Sequence, residues 1–304
     1  MGIFSQNRSV NIAGPVNRAH HLARDLAYWW ICLPGLMGGE YWPNVMGLPD
    51  NRFTVGRHAQ RFTSGVDTYT NAPTWSGTNR PGGFGHLVVP NLTSPVPCFD
   101  CGGDVMEAGA TWDFTWIVNV NLVSYPGNND PFMSQFGASN TTFLYMSYNS
   151  STHVPTMLFP AGGGGTLTGT TTLSLEKWWQ VGVTWRAADS NRATIYVNGV
   201  QDATGTGFTG RSLTATVSNF RIAGDTALGR RISGRIDDAR VYKRALSAFE
   251  MRDVYQNSLL GYPGLLNRTE ATMLPVAAVV ADPTTWVPQQ SLLLGGGFVG
   301  TTYV

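Results

Sequence analysis

Five glutamates are scattered along the chain: Glu40, Glu107, Glu176, Glu250 and Glu270. Retaining cleavage of a glycosidic bond needs two carboxyl groups about 5 Å apart. On a strand, that requires acidic residues at alternating positions, so that both share a face. None of the five glutamates has an acidic partner at that spacing. Asp237 and Asp238 are adjacent, so in a regular strand they point to opposite faces. There is no Gly-x-Ser-x-Gly, no His-Glu-x-x-His and no phosphate-cradling glycine loop followed by Lys. The expectation is a protein without catalytic residues.

Ligand chemistry is more open. Asn128, Asn129 and Asp130 place three oxygen-bearing side chains in a row and form a weak calcium candidate. Asp100 and Asp104 are a second, sparser one. Both groups lack the carboxylate density of a dedicated site, and Asn and Asp equally serve turns by bonding their own backbone. No other cofactor is expected. Cys98 and Cys101 have Cys-x-x-Cys spacing, but zinc would need two further ligands and a redox pair a βαβ setting. The third cysteine, Cys32, leaves an odd number, which does not suit a secreted disulfide framework. His20 and His21 are neighbours and make a poor chelating pair on a strand. The Gly/Asn/Pro-rich stretch 37–84 carries Tyr41, Trp42 and Trp75. They are either a platform on which a sugar ring stacks or loop aromatics tucked against the body.

The elements that would position these groups read as β-structure. Phe114, Trp116, Val118, Val120 and Leu122 alternate with Thr115, Ile117, Asn119 and Asn121, the pattern of a half-buried strand. Trp179, Val181, Val183 and Trp185 alternate in the same way. After 193–197 comes Asn198-Gly199, a dipeptide that accepts positive φ at both places and closes a tight hairpin. Strands are also expected at 85–92, 132–136, 142–148, 157–159 and 220–224.

The segment 234–255 is the most organised. Ile236, Ala239 and Val241 are strand-like, with one break in alternation that predicts a bulge or a strand buried on both faces. Ser247 and Glu250 form a capping box, and Leu246 and Met251 sit where a hydrophobic staple would lie. Ala248, Met251 and Tyr255 share one helical face.

Gly234, Ile236, Asp237, Val241, Tyr242, Arg244, Ala245, Leu246, Ser247, Glu250 and Tyr255 together resemble the closing strand and helix of the laminin-G-like branch of the concanavalin A-like jelly rolls. Trp178-Trp179 with Val181 and Val183, the Tyr196-Val197-Asn198-Gly199 hairpin, and Tyr28-Trp29-Trp30 after Leu22 resemble other strands of that family. The resemblance runs from about Leu22 to Tyr255. It implies an all-β, concanavalin A-like jelly-roll β-sandwich with one short C-terminal helix, flanked by extended N- and C-terminal arms. The expected divisions are an arm over 1–21, the sandwich over 22–257 and a second arm over 258–304. Trp179, Trp185, Asn198, Gly199, Gly234, Asp237, Ser247 and Glu250 carry the fold signature, and Asp237 is expected to bond nearby loop amides. Related β-glucanases place their carboxylates as Glu-x-Asp-x-x-Glu on one strand, a pattern this chain lacks.

Composition narrows the function classes. The 304 residues include 36 Gly and 10 Trp, are 13% charged and carry a net charge of +1, which gives no basic excess for nucleic acid. No apolar run reaches the roughly 18 residues of a membrane span, and no secretory signal is visible at the start. Residues 271–304 are apolar, broken by Pro and Gly, with Asp282 as their one charged residue. Laminin-G-like modules mostly work outside cells, so a chain of this kind without an export signal fits a virus particle released by lysis. The resemblance therefore implies a virion structural protein, a capsid-decoration or tail component. Its partners would be other virion proteins and copies of itself, with no nucleic acid and no membrane insertion. The alternative is a lectin-like module that reads a cell-surface glycan.

Overall fold

The computed structural model describes residues 16–32, 41–42, 44–47, 59–63, 73–76, 83, 85–91, 97–101, 113–125, 127, 130–137, 143–159, 165–208, 217–225 and 230–266. The strands are β1 Leu26–Trp30, β2 Tyr41–Trp42, β3 Ala59–Thr63, β4 Thr74–Ser76, β5 His86–Val89, β6 Pro97–Asp100, β7 Phe114–Ser124, β8 Pro131–Gly137 and β9 Phe143–Tyr148. They continue as β10 Pro155–Leu158, β11 Thr166–Thr168, β12 Trp178–Arg186, β13 Arg192–Val197, β14 Val200–Gly205, β15 Val217–Ile222, β16 Gly224–Asp225, β17 Arg230–Arg231 and β18 Ser233–Tyr242. One α-helix, α1 (Ala248–Leu259), closes the order.

Two antiparallel sheets form a sandwich. The first runs β14-β13-β12-β7-β18-β5-β4, with β1 also paired to β18; the second runs β11-β10-β9-β8-β15-β6-β3-β2. The expected jelly-roll β-sandwich with one short helix is what the chain forms. The core lies between the sheets. Trp116, Val118, Val120, Val183 and Trp185 of the first sheet meet Phe132, Met146, Met157, Phe220 and Ile222 of the second, all essentially without solvent exposure.

Local sequence explains the joints. Asn198 and Gly199 adopt φ of 51° and 73°, and Val197 pairs directly with Val200, so the two-residue hairpin is as the dipeptide predicts. Gly234 lies so close to β7 that a Cβ there would overlap the carbonyl oxygen of Asn121. The break in alternation after Ile236 is a bulge: the register shifts between Asp237 and Arg240, and Asp238 sits at φ 53°. The bulge corrects the expectation that the two aspartates face opposite ways. Asp237 pairs across from Asn119, and Asp238 accepts a hydrogen bond from that same Asn119 side chain.

Other expectations shift. The opening strand covers only Leu26–Trp30, because His21–Ala23 coil as a 3-10 turn and Asp25 takes φ 56°. β7 is not half-buried: Thr115, Ile117, Asn119 and Asn121 on its outer face are buried as well. On α1 the buried side chains are Met251, Val254 and Ser258, while Ala248 is exposed, because the helix docks with Met251 over Gly182 of β12. The capping box is present as read: the Glu250 N–H donates to Ser247 Oγ, and the Ser247 N–H donates to Glu250 Oε2 at 2.8 Å. Leu246 and Met251 are both fully buried in one cluster, where a staple puts them.

Val16 bridges Leu266 in antiparallel fashion, and the Asn17 N–H donates to the Leu265 carbonyl at 2.8 Å. The packed body thus includes residues 16–21 and 260–266, and the rest of both expected arms lies outside the described residues. No helix among the described residues is long and apolar enough to cross a membrane.

Candidate functional site

The outer face of the first sheet divides into two parts. Over one part lie α1, the 3-10 turn His21–Ala23 and the segment 260–266, which bury Leu22, Trp29, Ile117, Tyr242 and Tyr262 together. At its centre the Asp238 carboxylate is fully buried and fully engaged. Oδ1 accepts from Trp29 Nε1 and Arg240 Nε, each at 2.7 Å; Oδ2 accepts from Tyr262 Oη at 2.7 Å, Asn119 Nδ2 at 3.0 Å and Arg240 Nη2 at 3.1 Å. The Arg240 guanidinium lies 4.5 Å from the Trp29 ring centroid and 5.1 Å from that of Tyr262. Both Asp238 oxygens are engaged, so this cluster ties the terminal segments to the sheet.

The other part stays partly open to solvent. Strand pairing sets Trp178 of β12 beside Asn121 of β7, and Asn121 beside Arg235 of β18. Directly paired residues share a face, so these three side chains form one row across the sheet. Trp179 alternates inward against the core, which is what turns Trp178 outward. The partly exposed Trp178 indole reaches across two intervening strands to His86 of β5, with ring centroids 5.7 Å apart and planes at 64°. Arg235 Nη1 donates to Asn121 Oδ1 at 2.9 Å and to Glu176 Oε2 at 2.8 Å. Glu176 is placed by its own N–H bond to the Leu122 carbonyl at 2.8 Å. Val123, two residues past Asn121 on the same face, is 41% exposed. An aromatic ring, an exposed apolar neighbour and a fixed set of planar donors and acceptors can hold a ligand that has both an apolar face and hydroxyl groups.

The residues singled out from sequence fall elsewhere. Trp42 has no solvent exposure and packs against Phe99, so it offers no stacking platform. Its place in a Gly/Asn-rich stretch suggested a surface loop, but Tyr41 and Trp42 form β2 at the edge of the second sheet. The Tyr41 side chain lies outside the described residues. Trp75 is 43% exposed, at the edge strand β4, and its pairing with Leu87 puts it on the core-facing side, away from the Trp178 row. Asn128 and Asn129 also lie outside the described residues. Asp130 is turned inward, accepting from Tyr148 Oη at 2.8 Å and from the Arg231 N–H, and burial pushes its carboxyl above the usual range. No group of three potential metal ligands occurs among the described residues. Cys32, Cys98 and Cys101 are buried and form no disulfide with one another. The His20 Nδ1 accepts from the Leu22 N–H, and His21 pairs with Asp253 of α1. Of the signature residues, Asp237 Oδ1 accepts from the Cys32 N–H at 3.1 Å, the amide contact expected of it.

Residues 103–252 match the family model of the concanavalin A-like lectin/glucanases superfamily. In this stretch, just under half of the chain, the sequence is similar to that superfamily. No curated protein matches the chain. Among solved structures it is similar to Trypanosoma rangeli sialidase, with 17% identity and a TM-score of 0.47 over 77% of this chain and 33% of that one. It is also similar to the Ruminococcus gnavus IT-sialidase CBM40 bound to alpha2,3 sialyllactose, with 15% identity and a TM-score of 0.45 over 56% of this chain and 96% of that one. Domain 4 of AbnA, a GH43 extracellular arabinanase from Geobacillus stearothermophilus, in complex with arabinotriose, shows 14% identity and a TM-score of 0.49 over 67% and 91% of the two chains. The chain spans about a third of the sialidase's length. The family match begins before β7 and ends within α1, so it contains Trp178, Asn121, Arg235 and Glu176.

Proposed function

We propose that the laminin-G-like sandwich is a non-enzymatic, lectin-like module that binds a cell-surface glycan on the open row of its outer face. The observation that carries this reading is the Trp178 indole, partly exposed and in register with Asn121 and the Arg235–Glu176 pair. A pyranose presents an apolar face to the ring and hydroxyls, which both donate and accept, to the polar groups beside it. Glu176 is the one carboxylate among the described residues of that row that reaches solvent, and Asp237 and Asp238 are buried and bonded. A pair of carboxylates suited to glycoside cleavage is thus missing from the described part of the face. A glycan array tests the reading: the wild-type chain should retain a discrete set of glycans, and Trp178→Ala should lose them at unchanged thermal stability. Retention of the same set by Trp178→Ala would remove the row from the account.

A second reading, compatible with the first, is supported by the antiparallel bridge between Val16 and Leu266. It sets the points where residues 1–15 and 267–304 join the body side by side. In this reading the protein is a virion structural component, a capsid-decoration or tail protein, and those two segments tie it to neighbouring virion proteins or to copies of itself. A chain cut to residues 16–266 should stay folded and fail to enter particles; incorporation of the cut chain would contradict it.

A further inference from the structure

Resting on the glycan-binding reading, we infer that the open row takes neutral sugars through neighbouring hydroxyls, and that Glu176 turns acidic sugars away. An isolated arginine beside a tryptophan would suit a carboxylated sugar, because the guanidinium fork matches a carboxylate. Here the arginine is not isolated. Arg235 Nη1 divides its hydrogens between Asn121 Oδ1 at 2.9 Å and Glu176 Oε2 at 2.8 Å. The Glu176 side chain is 57% exposed against 33% for Arg235, so its negative charge is the more accessible to anything arriving from solvent. A ligand carboxylate would meet an attraction and a repulsion of similar range that largely cancel, and as a pure acceptor it could take nothing from Glu176.

A pair of adjacent hydroxyls has the opposite fit. One hydroxyl donates to Glu176 Oε1, since the bond from Arg235 falls on Oε2. The other accepts from Arg235 Nε or Nη2, and the ring carbons lie toward Trp178. Glu176 is a specificity-determining residue in this account, held in the turn before β12 by its contacts to Leu122 of β7 and Arg235 of β18.

The test compares the wild-type chain and Glu176→Gln on an array carrying neutral oligosaccharides together with their sialylated and uronic-acid counterparts. Glu176 is surface-exposed, and an unchanged melting temperature would confirm that the variant folds. The wild type should bind neutral glycans, and the variant should raise acidic-to-neutral binding by about tenfold or more, since the carboxylate repulsion is gone while Arg235 remains. Wild-type preference for acidic glycans, unaltered in the variant, would overturn this inference and leave glycan binding intact. Absence of any bound glycan in both chains would overturn the glycan-binding reading and this inference with it.

Discussion

Arg240 and Asp238 form a two-point ion pair with no solvent exposure on either side chain, Nε to Oδ1 at 2.7 Å and Nη2 to Oδ2 at 3.1 Å. The positive φ of Asp238 in the bulge aims the carboxylate at Arg240, two residues along the same strand, and at Trp29 and Tyr262 from the two terminal segments. Asp238→Ala would leave a buried guanidinium without its counter-ion and three donors without an acceptor. Breaking such a pair from one side costs about 3–5 kcal/mol, so urea denaturation should show a loss of that order. A loss below about 1 kcal/mol, the scale of a surface pair, would mean that the cluster does not hold the segments.

Gly234 tests the closeness of β18 to β7. Its missing Cβ is replaced in space by the backbone carbonyl of Asn121, which cannot swing aside as a side chain can. Gly234→Ala should destabilise at or above the upper end of the roughly 1–3 kcal/mol typical of overpacking. It should also weaken glycan binding, because Asn121 and Arg235 flank the displaced backbone. Calorimetry combined with a binding titration checks both parts.

Glu250 gives a pH signature. Burial by itself would raise its carboxyl, but hydrogen bonds from Arg244 and from the Ser247 N–H and hydroxyl outweigh that and bring it from an ordinary 4.5 down to about 2. A depressed folded value means the stabilisation is complete above about pH 4.5 and is lost as pH falls from there through about 2. Asp130 has the opposite sign, since burial raises its carboxyl, so the whole-protein curve mixes the two. The difference between wild type and Glu250→Gln isolates the capping box: stability curves against pH should converge as pH drops from 4.5 toward 2. Curves that stay parallel across that range would contradict the assignment.

Much of the fold was legible because its decisive signals are local. The Asn198-Gly199 turn, the Ser247/Glu250 box and the broken alternation after Ile236 each declare themselves within a few residues, and each appears where its chemistry demands. The proposed binding row did not declare itself, because Asn121, Trp178 and Arg235 come from three strands and meet only through sheet order. One signal was present: if Trp179 faces the core, then Trp178 must face out, onto the polar side of β7. Trp42 stood between two readings for the converse reason, and its burial bears out the one that tucks it against the body. An aromatic among glycines and asparagines can stack a sugar or tuck inward, and the pairing of β2 with β3 and the contact with Phe99 decide for the second.

The central claim is that sugar contact happens at the partly exposed Trp178 and not at the more exposed Trp75 of the same sheet. Isothermal titration of the best array glycan into wild type, Trp178→Ala and Trp75→Ala measures it directly. The account predicts at least a tenfold weaker Kd for Trp178→Ala, in line with the ~1–3 kcal/mol expected for losing one aromatic stacking contact, and an unchanged Kd for Trp75→Ala. Equal affinity for Trp178→Ala and wild type, or a loss confined to Trp75→Ala, would contradict it.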